Sequence, residues 1–120
     1  MSKGGGDRNL FLKRSRDIEH AKKHGRRIST PFFNMMICET GDSGTRIGIV
    51  VGKRFGGAVS RNLVKRLFRE LTRQIQAQLV QHFALVVFPK RESITQPFAV
   101  LKEAWLSSLQ RQRLLRPHED

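Results

Sequence analysis

Arg61, Lys65, Arg69 and Arg73 follow one another at intervals of four residues, with Arg66 among them. On a helix, each of these successive like-charge pairs costs about 0.2–0.5 kcal/mol in isolation. Helix faces that are merely solvated mix their signs, because acid–base pairs at this spacing help the helix. From Lys53 to Arg73 there is a single acid, Glu70. A stripe that destabilises its own helix is best explained by a phosphate backbone that neutralises it. Lys53 and Arg54 extend the positive charge ahead of the helix, and Gly56 and Gly57 stand at its entry. Glycine lets a backbone approach closely, and the free N–H groups of a helix N-terminus favour phosphate oxygens, although the same pair also suits a plain strand-to-helix turn. The order is not that of a nucleotide-binding loop, since the lysine precedes the glycines.

Other residue types offer less. The ten acids are scattered, and none falls on the basic helix face, so no general acid–base or metal constellation is visible. His20 and His24 are spaced to share a helix face and could hold a metal, but no third ligand lies nearby in sequence. They read as a surface pair. Cys38 is the one cysteine, which excludes an intrachain disulfide, and it alternates with core positions as a structural thiol would.

The elements that must position the basic row can be read from periodicity. With Arg61 at zero and about 100° per residue, Asn62, Lys65, Arg66, Arg69 and Arg73 fall between about 0° and about 140°. Leu63, Val64, Leu67, Phe68, Leu71 and Ile75 fall between about 200° and about 340°. A long helix over about Val59 to Val80, with one face on a sheet, is expected. Before it, Phe33, Met35 and Ile37 alternate with Asn34, Met36 and Cys38. Ile47, Ile49 and Val51 alternate with Arg46, Gly48 and Val50. Joined by the turn-forming stretch Thr40 to Thr45, these two runs read as an antiparallel hairpin. Arg26 to Ser29 can add a short strand. Phe83 to Phe88 is a continuous apolar run suited to a central strand buried on both sides. Ser15 to His24 can form a short helix, with Ser15 as N-cap, Asp17 and Glu19 at its positive end and Gly25 to close it. A last helix starts near Thr95 with Pro97 in its first turn, and repeats Phe98, Leu101, Trp105 and Leu109 at helical spacing.

The expected fold is therefore α+β: a single-domain two-layer sandwich of order α-β-β-β-α-β-α. Residues 1–8 read as a flexible tail, 9–116 as the domain and 117–120 as a second tail. The chain has 120 residues, enough for one core, and a net charge of +13 from 23 basic and 10 acidic residues. That excess points to a polyanionic partner. No apolar run approaches the ~20 residues that span a bilayer. Met1 to Asp7 is polar and Gly-rich, unlike a signal peptide. The expectation is an intracellular, cytoplasmic protein with no membrane contact.

The run Gly52 to Glu70 closely resembles the bacterial ribonuclease P protein component. That family carries a Lys-Arg/Lys-x-Gly-x-Ala-Val loop leading into Arg-Asn-Arg-x-Lys-Arg-x-x-Arg-Glu. Arg61, Asn62, Lys65, Arg66, Arg69 and Glu70 match; Leu63 stands where the family usually has Arg, at the edge of the apolar sector. The similarity extends from about Leu12 to Leu115, mostly as pattern outside this run. It implies a left-handed β-α-β crossover around the basic helix, where sequence alone would suggest the usual right-handed one. It implies an accessory protein subunit of an endoribonuclease that removes the 5′ leader of precursor tRNA. The catalytic groups and Mg²⁺ are then expected on the RNA subunit, with no cofactor bound by the protein. Catalytic RNA and precursor tRNA are the implied partners, with no obligate protein partner.

By the same resemblance, Lys53, Arg54, Arg61, Asn62, Lys65, Arg66 and Arg69 bind RNA, and Arg73 joins them by its place on the basic face. A cleft between the first helix and the open sheet face takes the single-stranded leader. The family's first-helix aromatics correspond to Ile18 and Lys22 here, and its strand aromatic to Phe33. Phe33 is then either a leader-stacking ring or a core residue, and Lys22 offers charge in place of stacking. Two rival readings compete. A ribosomal protein would share the size and charge but not the ordered basic signature. A DNA-binding regulator would need a helix free to enter a groove, whereas this one packs on a sheet.

Overall fold

The computed structural model describes residues 15–39, 45–80 and 82–116. The two expected tails and most of the Thr40 to Thr45 turn lie outside the described residues. So do the side chains of Ser15 and Asp17, and with them the proposed cap. The elements are α1 (Ser15–His24), β1 (Arg26–Ser29), β2 (Phe33–Glu39), β3 (Thr45–Ile49), α2 (Ala58–Gln74), β4 (Phe83–Pro89) and α3 (Phe98–Arg111).

The four strands form one sheet in the order β1-β2-β4-β3. β4 is the central strand expected from its unbroken apolar run, pairing antiparallel with β2 and parallel with β3. This corrects the hairpin: β2 and β3 are not neighbours, because β4 lies between them. The physical reason is burial. β4 is apolar on both faces and so takes an interior position, where packed helices cover both faces and β2 and β3 pair with its two edges. The parallel β3–β4 pair, joined through α2, is the crossover unit that carries the basic helix.

Phe33, Met35 and Ile37 of β2 share one face with Ile47 of β3 and with Leu85 and Val87 of β4, and α2 and α3 pack there. Val64, Phe68 and Leu71 come from α2, and Leu101, Trp105 and Leu109 from α3. At the centre, Phe33, Phe68 and Trp105 meet edge to face, with ring centroids 5.6–5.7 Å apart. Each such pair contributes about 0.5–1.5 kcal/mol beyond area burial. Thr72, the buried polar residue of α2, is satisfied because its Oγ1 donates to Phe68 O at 2.7 Å.

The opposite face is thinner. Cys38 and Val86 form its small buried cluster, flanked by Ile18, Val50 and Phe88. α1 lies over this patch, across β2 and β4.

Two helix ends differ from expectation. α2 stops at Gln74 instead of near Val80. Ile75 and Leu79 keep the apolar spacing and are buried, but the backbone passes through a 3₁₀ turn (Gln76–Gln78) and Leu79 bridges to Leu115. α3 is preceded by a 3₁₀ turn (Arg91–Ile94), so Thr95 lies outside it and Pro97 sits at the N-cap, one position before the first turn.

Candidate nucleic-acid interface

α2 separates its charged and apolar residues as the wheel requires. Val64, Phe68 and Leu71 are buried, while Asn62, Arg66, Arg69 and Arg73 are exposed and Arg61 and Lys65 half-buried. Among the described residues, Lys65, Arg66 and Arg69 make no ion pair. Glu70, the acid in this segment, accepts a hydrogen bond from Gln74 Nε2 at 3.2 Å, along the helix edge. Arg61 is half-buried, and its Nε is buried without a hydrogen-bond partner. Leu63 is 45% exposed, so the position at the edge of the basic row is apolar and open.

The Phe55 side chain anchors the loop before α2 in the core. Lys53–Phe55 makes a single 3₁₀ turn, with Phe55 N–H donating to Gly52 O at 3.1 Å and the Phe55 ring buried in the main core. Lys53 and Arg54 are thereby turned outward and exposed. Gly57 is the N-cap of α2 and supplies no side-chain cap. Val59, in the first turn, is 84% exposed. The first N–H groups of the helix thus open to solvent beside Lys53 and Arg54. Uncapped N–H groups and exposed cations are both chemistry that favours phosphate oxygens.

The second expected site requires a correction. Phe33 is 0% exposed and lies on the α2–α3 face of the sheet, wedged between Phe68 and Trp105. It is a core residue and cannot stack on a leader base. Its place in the strand decides this, because Phe33 shares the parity of Met35 and Ile37. Ile18 and Lys22 do lie on the α1 face. Ile18 packs against the Cys38–Val86 cluster, and Lys22 Nζ stands 5.7 Å from the centroid of the Phe88 ring. Phe88, half-buried on β4, is the aromatic that sequence reasoning missed. The signal was present in β4, where Ala84, Val86 and Phe88 alternate with Leu85 and Val87. Without the strand order, nothing said which set faced α1.

The remaining candidates adjoin the α1 side of the sheet: His20 and His24 line a surface hollow with Lys22, and Cys38 packs with Ile18 and Phe88. His20 and His24 are exposed, with ring centroids 4.6 Å apart, and no group of three potential metal ligands occurs among the described residues. Cys38 is buried beneath α1, its Sγ donating to Glu39 O at 3.4 Å. No helix among the described residues is long and apolar enough to cross a membrane.

A family model described as Ribonuclease P matches residues 7–113. The chain belongs to the ribonuclease P protein family. It is 29% identical over 100 residues to the "Ribonuclease P protein component" of Finegoldia magna, covering 83% of this chain and 88% of that one. The solved ribonuclease P protein of Thermotoga maritima superposes with a TM-score of 0.76 at 31% identity, over 83% of this chain and 94% of its own. The Staphylococcus aureus protein gives a TM-score of 0.80 at 20% identity, over 89% and 98%, which is a likeness of fold. Membership in this family assigns the chain a role in an endoribonuclease complex that processes tRNA. The resemblance read from the Gly52 to Glu70 signature is thus confirmed over nearly the whole chain.

Proposed function

We propose that this protein is the accessory subunit of ribonuclease P, binding the catalytic RNA through α2 and the loop before it, and the precursor-tRNA leader through the cleft under α1. The observation that carries the reading is the one-sided cation row of α2, in which Lys65, Arg66 and Arg69 make no ion pair among the described residues, followed back along the chain to a helix N-terminus without a side-chain cap and to exposed Lys53 and Arg54. Lys53, Arg54, Arg61, Lys65, Arg66, Arg69 and Arg73 hold phosphate oxygens, and Asn62 adds a neutral donor and acceptor. Backbone contacts of this kind suit recognition of folded RNA by shape.

In the second site half-buried Phe88 offers its ring to an unpaired base, and Lys22 adds charge next to it. Ile18 sets the distance between α1 and the sheet. A leader nucleotide entering here exchanges the Lys22–Phe88 contact for stacking and a phosphate contact, each stack being worth about 1–3 kcal/mol. The reading assigns phosphodiester hydrolysis, with its catalytic groups and Mg²⁺, to the RNA subunit. The protein contributes binding and orientation, which lower the Mg²⁺ requirement by neutralising phosphate repulsion. The reading carries with it a cytoplasmic location.

Reconstitution tests this directly. With a bacterial ribonuclease P RNA and precursor tRNA, added protein should restore cleavage at Mg²⁺ concentrations where the RNA alone is inactive. No change in Mg²⁺ requirement, or cleavage by rigorously RNA-free protein, would overturn the reading.

A further inference from the structure

The segment after β4 ties two loops to the end of the sheet. Lys90 donates from its backbone N–H to Phe32 O at 2.9 Å and from Nζ to Thr30 O at 2.6 Å, which holds the turn between β1 and β2. Arg91 reaches the other way. Its Nη1 donates to Phe55 O at 2.8 Å, and its guanidinium stands 6.0 Å from the centroid of the Phe55 ring. The adjoining residue, Gly56, has φ 154°, and a Cβ built there would meet Arg91 Nη1 at 3.1 Å. Glycine at this position therefore keeps open the space that the guanidinium occupies. Arg91 is itself mounted firmly. It begins the 3₁₀ turn Arg91–Ile94, closed by buried Ser93, whose N–H and Oγ donate to Lys90 O at 2.9 and 2.7 Å.

Phe55 is thus held twice, by its ring in the core and by its carbonyl on Arg91. Between these holds and α2 lie only two glycines, and before them two like charges. A segment of that composition tends to disperse, and ordering it on binding would subtract from affinity. We propose that Arg91 is a positioning residue that preorganises the Lys53–Gly57 loop, so that Lys53, Arg54 and the N-terminus of α2 meet one phosphate tract as a unit. The inference rests on the RNA-binding reading of α2. It adds that the loop's geometry is set by a residue 36 positions away in sequence, on the far side of the crossover.

Arg91→Met keeps the aliphatic stem and removes the donor; Arg91→Lys keeps a charged donor. In the free full-length protein, Arg91→Met should speed exchange of the Phe55 amide. It should also weaken binding to ribonuclease P RNA by about tenfold, the scale of one charged hydrogen bond. Arg91→Lys should recover much of both losses. In a Lys53→Ala/Arg54→Ala background the further loss of affinity from Arg91→Met should largely vanish, because the loop it positions no longer carries charge. A fully additive loss would make Arg91 a direct phosphate contact and overturn the proposal. So would unchanged Phe55 exchange in Arg91→Met, or an Arg91→Lys as defective as Arg91→Met. Failure of the wild-type protein to bind the RNA would remove the functional reading instead, leaving amide exchange to judge the clamp alone.

Discussion

Phe33 and Phe88 lie on adjacent strands one register step apart, Asn34 opposite Phe88 and Phe33 opposite Pro89, and they face opposite sides of the sheet. One ring closes the main core between Phe68 and Trp105; the other meets Lys22 under α1. The two phenylalanines should therefore fail in different ways. Phe33→Ala should destabilise the fold by about 3–5 kcal/mol, with no dependence on substrate. Phe88→Leu, which keeps apolar bulk, should leave melting and holoenzyme assembly nearly unchanged but cost about 1–3 kcal/mol in binding a long-leader precursor. A substrate with a one-nucleotide leader is the control. Equal losses for long and short leaders would remove Phe88 from the leader site.

Arg66 and Arg69 are exposed on the row of α2 and form no ion pair among the described residues. Replacing both with Ala should spare the fold and weaken assembly with the RNA subunit. The plot of log affinity against log salt should also become shallower. Each lost phosphate contact lowers the slope by roughly 0.9 if the contacted RNA is duplex-like, or roughly 0.7 if single-stranded. An unaltered slope would exclude this face from the interface.

The net charge of +13 and the crowded cations of α2 should make the free protein sensitive to anions. Sulfate at constant ionic strength should raise the melting temperature by selective binding to the native state, adding about 1.4 kcal/mol at ten times its dissociation constant. Chloride at the same ionic strength should do less. The sulfate gain should shrink in Lys53→Ala/Arg54→Ala.

The end of α3 supplies a test unrelated to RNA. Arg113 has φ 60°, with its N–H donating to Gln110 O at 3.0 Å and the next N–H, of Leu114, donating to Leu109 O at 2.9 Å. This is a Schellman ending, with Leu109 and Leu114 both buried in the main core and a non-glycine residue in the left-handed position. Arg113→Gly should stabilise the protein by about 0.5–1 kcal/mol in thermal or urea unfolding.

The amphipathic split of α2 was legible from the sequence because it is local. A 3.6-residue period sorts Arg61, Lys65 and Arg69 from Val64, Phe68 and Leu71 whatever the helix packs against. The central place of β4 was legible for a similar reason, since a strand apolar on both faces must be covered on both. The signature from Gly52 to Glu70 carried the family. Strand order was decided only in the tertiary structure. The alternation in β2 and β3 says that each has a core face, but period-two patterns are the same whether two strands pair with each other or flank a third. The fate of the aromatic rings followed from that choice, because register with β4 turned Phe33 into the core and brought Phe88 beneath Lys22. The hold of Arg91 on Phe55 O was equally invisible in the chain. A hydrogen bond across 36 residues leaves no period to read, and exists only because the crossover returns β4 beside β3.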